Sequence, residues 1–118
     1  MEYLLHLNER PFEAIKNKTK KIEIRVKTDR PQRVDYGKLE TEDIIVFENN
    51  VTKEKMKCEI EEVNWYKTAE EMFVQEGMRW TSSSSKTIDE GIKSLYKIPD
   101  YEEGIKKNGV FAIHIKLL

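Results

Sequence analysis

The stretch from Met56 to Trp65 carries two apolar alternations in succession. Met56, Cys58 and Ile60 keep one phase, and Val63 and Trp65 keep the other. Successive side chains of a strand point to opposite faces, so a phase change inside one strand requires an extra residue. A bulge at Glu61–Glu62 would supply it. A bulge bends its strand and raises the local twist, and a bent strand belongs to a curled sheet.

The remaining apolar patterns supply partners for that strand. Met1 to Leu7 alternates Tyr3, Leu5 and Leu7 against Glu2, Leu4 and His6. Ile44 to Phe47 is a β-rich run ended by the turn signal Asn49–Asn50. In Val110 to Leu118, Phe111, Ile113, Ile115 and Leu117 share a face. From Lys21 to Lys27, Ile22, Ile24 and Val26 alternate with charged residues, so a further strand is expected there.

Helices are marked by their caps. Pro11 suits the first turn of a short helix that sends Phe12 and Ile15 to the core, with Asn17 as its stop. Thr68 and Glu71 form a capping box ahead of Ala69, Met72 and Phe73, and Gly77 closes that helix. Thr87 and Glu90 open a second such helix, with Ile88, Ile92, Leu95 and Tyr96 as its core stripe and Pro99 at its end. One or two helical turns are expected from Asp100 to Asn108, stopped at Gly109. Thr28 to Thr41 reads as a long loop. Strands arriving mostly in sequence, with helices inserted late, give an α+β fold. We expect a small β-barrel of about five to six strands, helices packed at its side, in a single domain over residues 1–118.

Charge is uneven. The chain has 118 residues and a net charge of -1, yet Lys16 to Lys38 holds nine Lys or Arg against three Asp or Glu. A local excess of positive charge attracts an anionic partner if the side chains converge. Cys58 is the only cysteine, so no intrachain disulfide is expected and no disulfide partner is required. His6 and His114 make no metal motif, and no metal or cofactor is expected. His6 reads as a packed or hydrogen-bonded histidine. No apolar run reaches the ~20 residues that span a bilayer. The start, MEYLLHLNERP, lacks the basic and apolar regions of a signal peptide, so a cytoplasmic address without membrane association is expected.

The segment Lys18-Thr-Lys20-Lys-Ile-Glu23-Ile-Arg25 carries a resemblance. It is similar to the signature of the ASCH family, a branch of the PUA-like barrels: a short helix, then Gly-x-Lys-x-x-Glu-x-Arg leading into a strand. Lys20, Glu23 and Arg25 fall on the signature positions, and Lys18 stands where the signature has glycine. Pro11-Phe12, Ile15-Lys16, Asp43, Phe47, Tyr96 and Gly109-Val110 agree as flanking features. The resemblance implies a PUA-like barrel with a cleft lined by the motif residues, binding RNA or a nucleotide-like small molecule. It also implies an alternative, because some small bacterial members remove the acyl group from N4-acetylcytidine. Those use the motif lysine, a threonine where this chain has Glu23, and a later acidic residue, for which Glu71 or Glu76 could stand. A carboxylate at position 23 would give an anhydride rather than an ester, so Glu23 could act there only as a general base activating water while Lys20 polarises the amide. A third reading, implied by family members fused to coactivators, is a protein-interaction module.

The motif can be weighed by its own chemistry. Glu23 and Arg25 project from one face of a strand; Arg25 can fork onto a phosphate, Lys20 adds a point charge, and Glu23 can accept from a base amine. The bland reading pairs Glu23 with Arg25 on a solvated face, worth ~0–1 kcal/mol. Spacing alone favours the bland reading; the resemblance favours a site. Bases of single-stranded RNA also need aromatic platforms. Trp65, Tyr66, Trp80 and Tyr101 are the candidates, with Trp65 expected in the core. Trp80 and Arg79 lie beside the serine run 82–85, in an expected loop where they could face ligand, and Arg30 and Arg33 could track a backbone.

Overall fold

The computed structural model describes residues 1–32, 34–82 and 85–118. Arg33, expected to track a nucleic-acid backbone, and Ser83 and Ser84 of the serine run lie outside the described residues. The strands are β1 (Glu2–Leu7), β2 (Ile22–Arg25), β3 (Ile44–Asn49), β4 (Lys55–Tyr66) and β5 (Val110–Leu117). The helices are α1 (Glu9–Lys16), α2 (Ala69–Glu76), α3 (Met78–Thr81), α4 (Ile88–Tyr96) and α5 (Tyr101–Asn108). The sheet order is β1-β3-β4-β5-β2. β1 runs parallel to β3, and every other pair is antiparallel. The sheet curls into a half-barrel of the PUA-like kind with the helices alongside. The register of β4 on β5 shifts between Ile60 and Glu62, where the change of apolar phase requires it.

Residues paired across a ladder share a face. Arg25 pairs with Phe111 and Glu23 with Ile113, so the motif side chains lie on the concave side. That side holds a core of Leu5, Phe12, Ile45, Phe47, Cys58 and Ile60. Ile22 pairs with His114 and Ile24 with Ala112 on the opposite face, which α2, α4 and α5 cover through Met72, Phe73, Leu95 and Ile105. Both faces of the sheet are therefore buried around β2. Lys21 and Lys27 reach solvent, but Glu23 is buried and Arg25 half-buried, so the charged alternation of this strand is not a solvated face. Ile24 is half-buried where a buried residue was expected, because it sits at the rim of a cleft.

Three local findings depart from the sequence pattern. The described residues of 28–41 form a loop with one 3-10 turn, but Val34, Tyr36 and Leu39 enter the concave core, and the turn at Tyr36–Lys38 is capped by Asp35, whose carboxylate accepts from Gly37 N. The loop's apolar residues follow neither period, because they reach the core from irregular main chain rather than from a strand or helix. Trp80 lies in α3, not in a loop. Trp65 is 54% exposed rather than in the core, its indole donating to Asn108 O at 2.9 Å. No helix among the described residues is long and apolar enough to cross a membrane.

Two backbone positions can be tested. Lys18 adopts φ 63°, the left-handed conformation that glycine takes without a steric cost. Lys18→Gly should raise unfolding stability in urea by about 0.5–1 kcal/mol. Gly109 has φ 79°, and a Cβ there would stand 2.5 Å from both Trp65 Nε1 and Tyr66 O. Gly109→Ala should cost more than about 2 kcal/mol in the same assay.

Candidate functional site

The site begins at the end of α1. Thr19 N and Lys20 N both donate to Ala14 O, and the left-handed Lys18 turns the chain back under the helix. This turn carries the Lys20 side chain inward. Its Nζ donates to Ile22 O and to Thr81 O, each at 2.7 Å, and lies 3.6 Å from Glu23 Oε1. Glu23 uses its other oxygen on Arg25: Oε2 accepts from Nε at 2.9 Å and forms an ion pair with Nη2, also at 2.9 Å. Arg25 Nη2 also donates to His6 O at 2.9 Å. The chain of contacts thus runs from α3 through β2 to β1.

Lys20 and Glu23 are each only 5% exposed. Burial pushes the Lys20 ammonium below its ordinary pKa, and Glu23 opposes that shift. Two main-chain carbonyls accept from the nitrogen, and the Glu23 carboxylate beside it favours its charged form. Burial also works against the charge of Arg25, but Glu23, with Tyr101 and Tyr36, more than offsets it and its pKa rises. Burial first, and Glu23 in addition, push the Tyr101 phenol up to about 12, so it is a neutral hydroxyl. At their formal charges, the buried Lys20 and the half-buried Arg25 against Glu23 sum to one positive charge.

That charge stands at the foot of a cleft of about 320 Å³. The cleft lies along the outer edge of β2. Lys21 O accepts from Ile115 N, so by the alternation of an antiparallel ladder Glu23 and Arg25 turn their backbone groups to β5. The backbone N–H and C=O of Ile24 then face the cleft, which Ile24 lines. Phe73, Leu95 and Ile98 form an apolar wall from α2, α4 and the residues after α4. Ser94 and Tyr101 add hydroxyls opposite His6 and Asn50.

The structure brings Lys20, Glu23 and Arg25 together and leaves the other candidates elsewhere. Arg79 and Trp80 do not line the cleft; the Trp80 ring carries Lys21 Nζ at 4.4 Å and Arg79 Cζ at 4.5 Å from its centroid. Glu71 sits exposed at the capped start of α2, its amide bound by Thr68. Glu76 lies on the helix-covered face, accepting from Tyr66 OH at 2.6 Å and Asn64 Nδ2 at 2.9 Å, with His114 Nε2 at 2.7 Å. Neither acid lines the cleft beside Lys20. Arg30 is paired with Asp100. His6 Nδ1 lies 3.3 Å from Glu48, while its carbonyl serves Arg25. Sequence reasoning missed Thr81, Ser94 and the His6 carbonyl. Two of those contacts use main-chain oxygens, which no side-chain pattern can signal. Among the described residues, no group of three or more His, Cys, Asp or Glu could hold a metal ion.

A model of the ASCH domain matches residues 5–118. The crystal structure of a hypothetical protein, PH0355, is 32% identical, with a TM-score of 0.82 and full coverage of both chains. The solution NMR structure of protein PF0455 from Pyrococcus furiosus is 33% identical, with a TM-score of 0.71, over 100% of this chain and 98% of that one. Neither name specifies a ligand. No curated protein matches significantly.

Two substitutions probe these networks. Glu23→Gln leaves Lys20 and Arg25 buried without their carboxylate and should cost about 3 kcal/mol in urea unfolding. Glu76 has its pKa lowered below 4.5: burial raises it, but Tyr66, Asn64 and His114 outweigh that. A carboxyl group whose folded pKa is depressed contributes stability above its unfolded pKa and loses it as pH falls through the folded value. Stability should therefore drop between about pH 5 and pH 3, and Glu76→Gln should flatten that part of the curve.

Proposed function

The chain belongs to the ASCH domain family, and from that premise we propose that the cleft beside β2 binds a nucleotide, free or within an RNA strand. The observation that carries this reading is the buried, net-positive Lys20–Glu23–Arg25 group at the foot of a cleft along an unpaired strand edge. A volume of about 320 Å³ is at the lower end for ligand pockets and suits one nucleoside. The Ile24 N–H and C=O offer a donor and an acceptor side by side, the pattern a base edge complements. The apolar wall can cover a base face, and the remaining N–H groups of Arg25 are available to an anion. Glu23 acts through the two cations it orients.

Hydrolysis of an acylated nucleoside by Lys20 and Glu23 has less support. A base or nucleophile needs an accessible free amine, and Lys20 is buried with its Nζ donating to two carbonyls beside the Glu23 carboxylate. Glu23 spends both oxygens on cations, and no acid from α2 lines the cleft.

The reading is tested by NMR titration with nucleosides, nucleotides and short RNAs. Binding should shift amide signals of β2, α3 and α4. Ser94→Trp, which fills the cleft without touching the buried cations, should abolish those shifts while the fold is kept. A panel that moves none of these signals at millimolar ligand would overturn the reading. Turnover of an acetylated nucleoside by the pure protein would favour the hydrolase instead.

A further inference from the structure

On the other side of Lys20 lies a second concavity, also of about 320 Å³. Lys18, Lys21 and Lys116 surround it over a floor that includes Ile15 and Ile115, and Glu61 is the one carboxylate among its lining residues. All three lysines are exposed. Arg79 joins them through Trp80, whose ring holds both Lys21 and Arg79 in cation–π range. Among the described residues none of these four cations makes an ion pair, whereas Lys16 nearby is held by Glu54 at 2.7 Å. A chain of net charge -1 thus keeps four cations on one patch, with Glu61 in the lining and Glu59 across the ladder from Lys116. An excess of positive charge of this kind recruits a polyanion and releases counterions when it binds.

The patch adjoins the cleft. Lys20 lines both concavities, with its ammonium bound on the cleft side. Trp80 O accepts from Lys21 N, and the next residue, Thr81, already lines the cleft. We propose that this lysine groove holds the phosphodiester backbone of a single-stranded RNA whose neighbouring nucleotide occupies the cleft; the inference rests on the cleft reading above. The strand is single because a base enters the cleft only when splayed out of a stack. The groove reads phosphate rather than sequence, since lysines act as point charges and phosphate contacts position a strand without specifying it. The physiological ligand is then an oligonucleotide and not a free nucleotide.

The test compares the full chain with its Lys18→Gln/Lys21→Gln/Lys116→Gln variant, each titrated with a mononucleotide, a short single-stranded RNA and a duplex of that RNA over a range of salt. These exposed side chains can change without unfolding the chain, which a thermal melt verifies. The single strand should bind at least about tenfold tighter than the mononucleotide, and the triple variant should lose most of that gain. The log–log salt slope should fall by about 2, at roughly 0.7 per lost phosphate contact. Mononucleotide affinity should not change. Equal binding of RNA by wild type and variant, or equal affinity for RNA and mononucleotide, would overturn the groove and leave the cleft standing. Lysine-dependent RNA binding with which no mononucleotide competes would overturn the cleft reading instead. A duplex bound as tightly as the single strand would overturn the single-strand assignment.

Discussion

The half-barrel has a seam, and one buried cationic pair with a shared carboxylate spans it. β1 and β2 are the end strands of the sheet, and the Arg25 guanidinium reaches from one to a carbonyl of the other. Lys20 makes the matching reach to Thr81 O of α3. Glu23 stands between and touches both cations. Taking three charges out of water costs several kcal/mol per ion unless every donor finds an acceptor. Here the carbonyls of Ile22, Thr81 and His6 supply acceptors that one carboxylate could not. The same contacts that hold the seam therefore leave it short of full closure and give it a positive floor.

A strand edge left unpaired is a hazard in most sheets, because its free N–H and C=O groups can recruit another strand. In this fold the edge of β2 is sheltered by α3, α4 and the start of α5, which overhang it and line the same cleft. The helices are anchored from behind. Glu76 at the end of α2 binds Tyr66 and Asn64 of β4 and meets His114 of β5, fixing the helical layer to the face away from the barrel interior. Gly91 lets α4 approach closely: a Cβ there would stand 2.9 Å from Met78 Cε and 3.0 Å from the Phe73 ring. The polar network thus holds the cleft wall in place without entering the cleft.

Much of this architecture was legible in the chain. Periodicity located the five strands, because alternation survives wherever one face meets a core, and the phase slip in β4 announced its bulge before any coordinates. Capping residues located α2 and α4, since a cap is a local hydrogen bond between near neighbours. The segment 28–41 is irregular as a loop should be, but the burial of Val34, Tyr36 and Leu39 was not legible because they follow neither period. Trp65 was misread because its burial depends on what packs over the strand end, and there the main chain at Gly109 takes the place of a side chain. Arg79 and Trp80 pair with each other and with Lys21 rather than with the motif, a partnership set by the short helix α3.

The sequence by itself determined the five strands, the capped helices, the α+β class and the three residues that meet at the seam, because each is encoded by spacing or motif within a few dozen positions; the short helix α3 was not among them. It could not decide whether those three charges would be solvated or buried. That depended on Thr81 and His6, 61 and 19 residues away from the cations they bind, offering main-chain carbonyls at hydrogen-bonding distance. The tertiary packing around β2, with α3 against it and Arg25 bound to β1, leaves Lys20 and Glu23 each only 5% exposed. A carbonyl oxygen is common to every residue, so its position as a partner is a property of the folded chain alone.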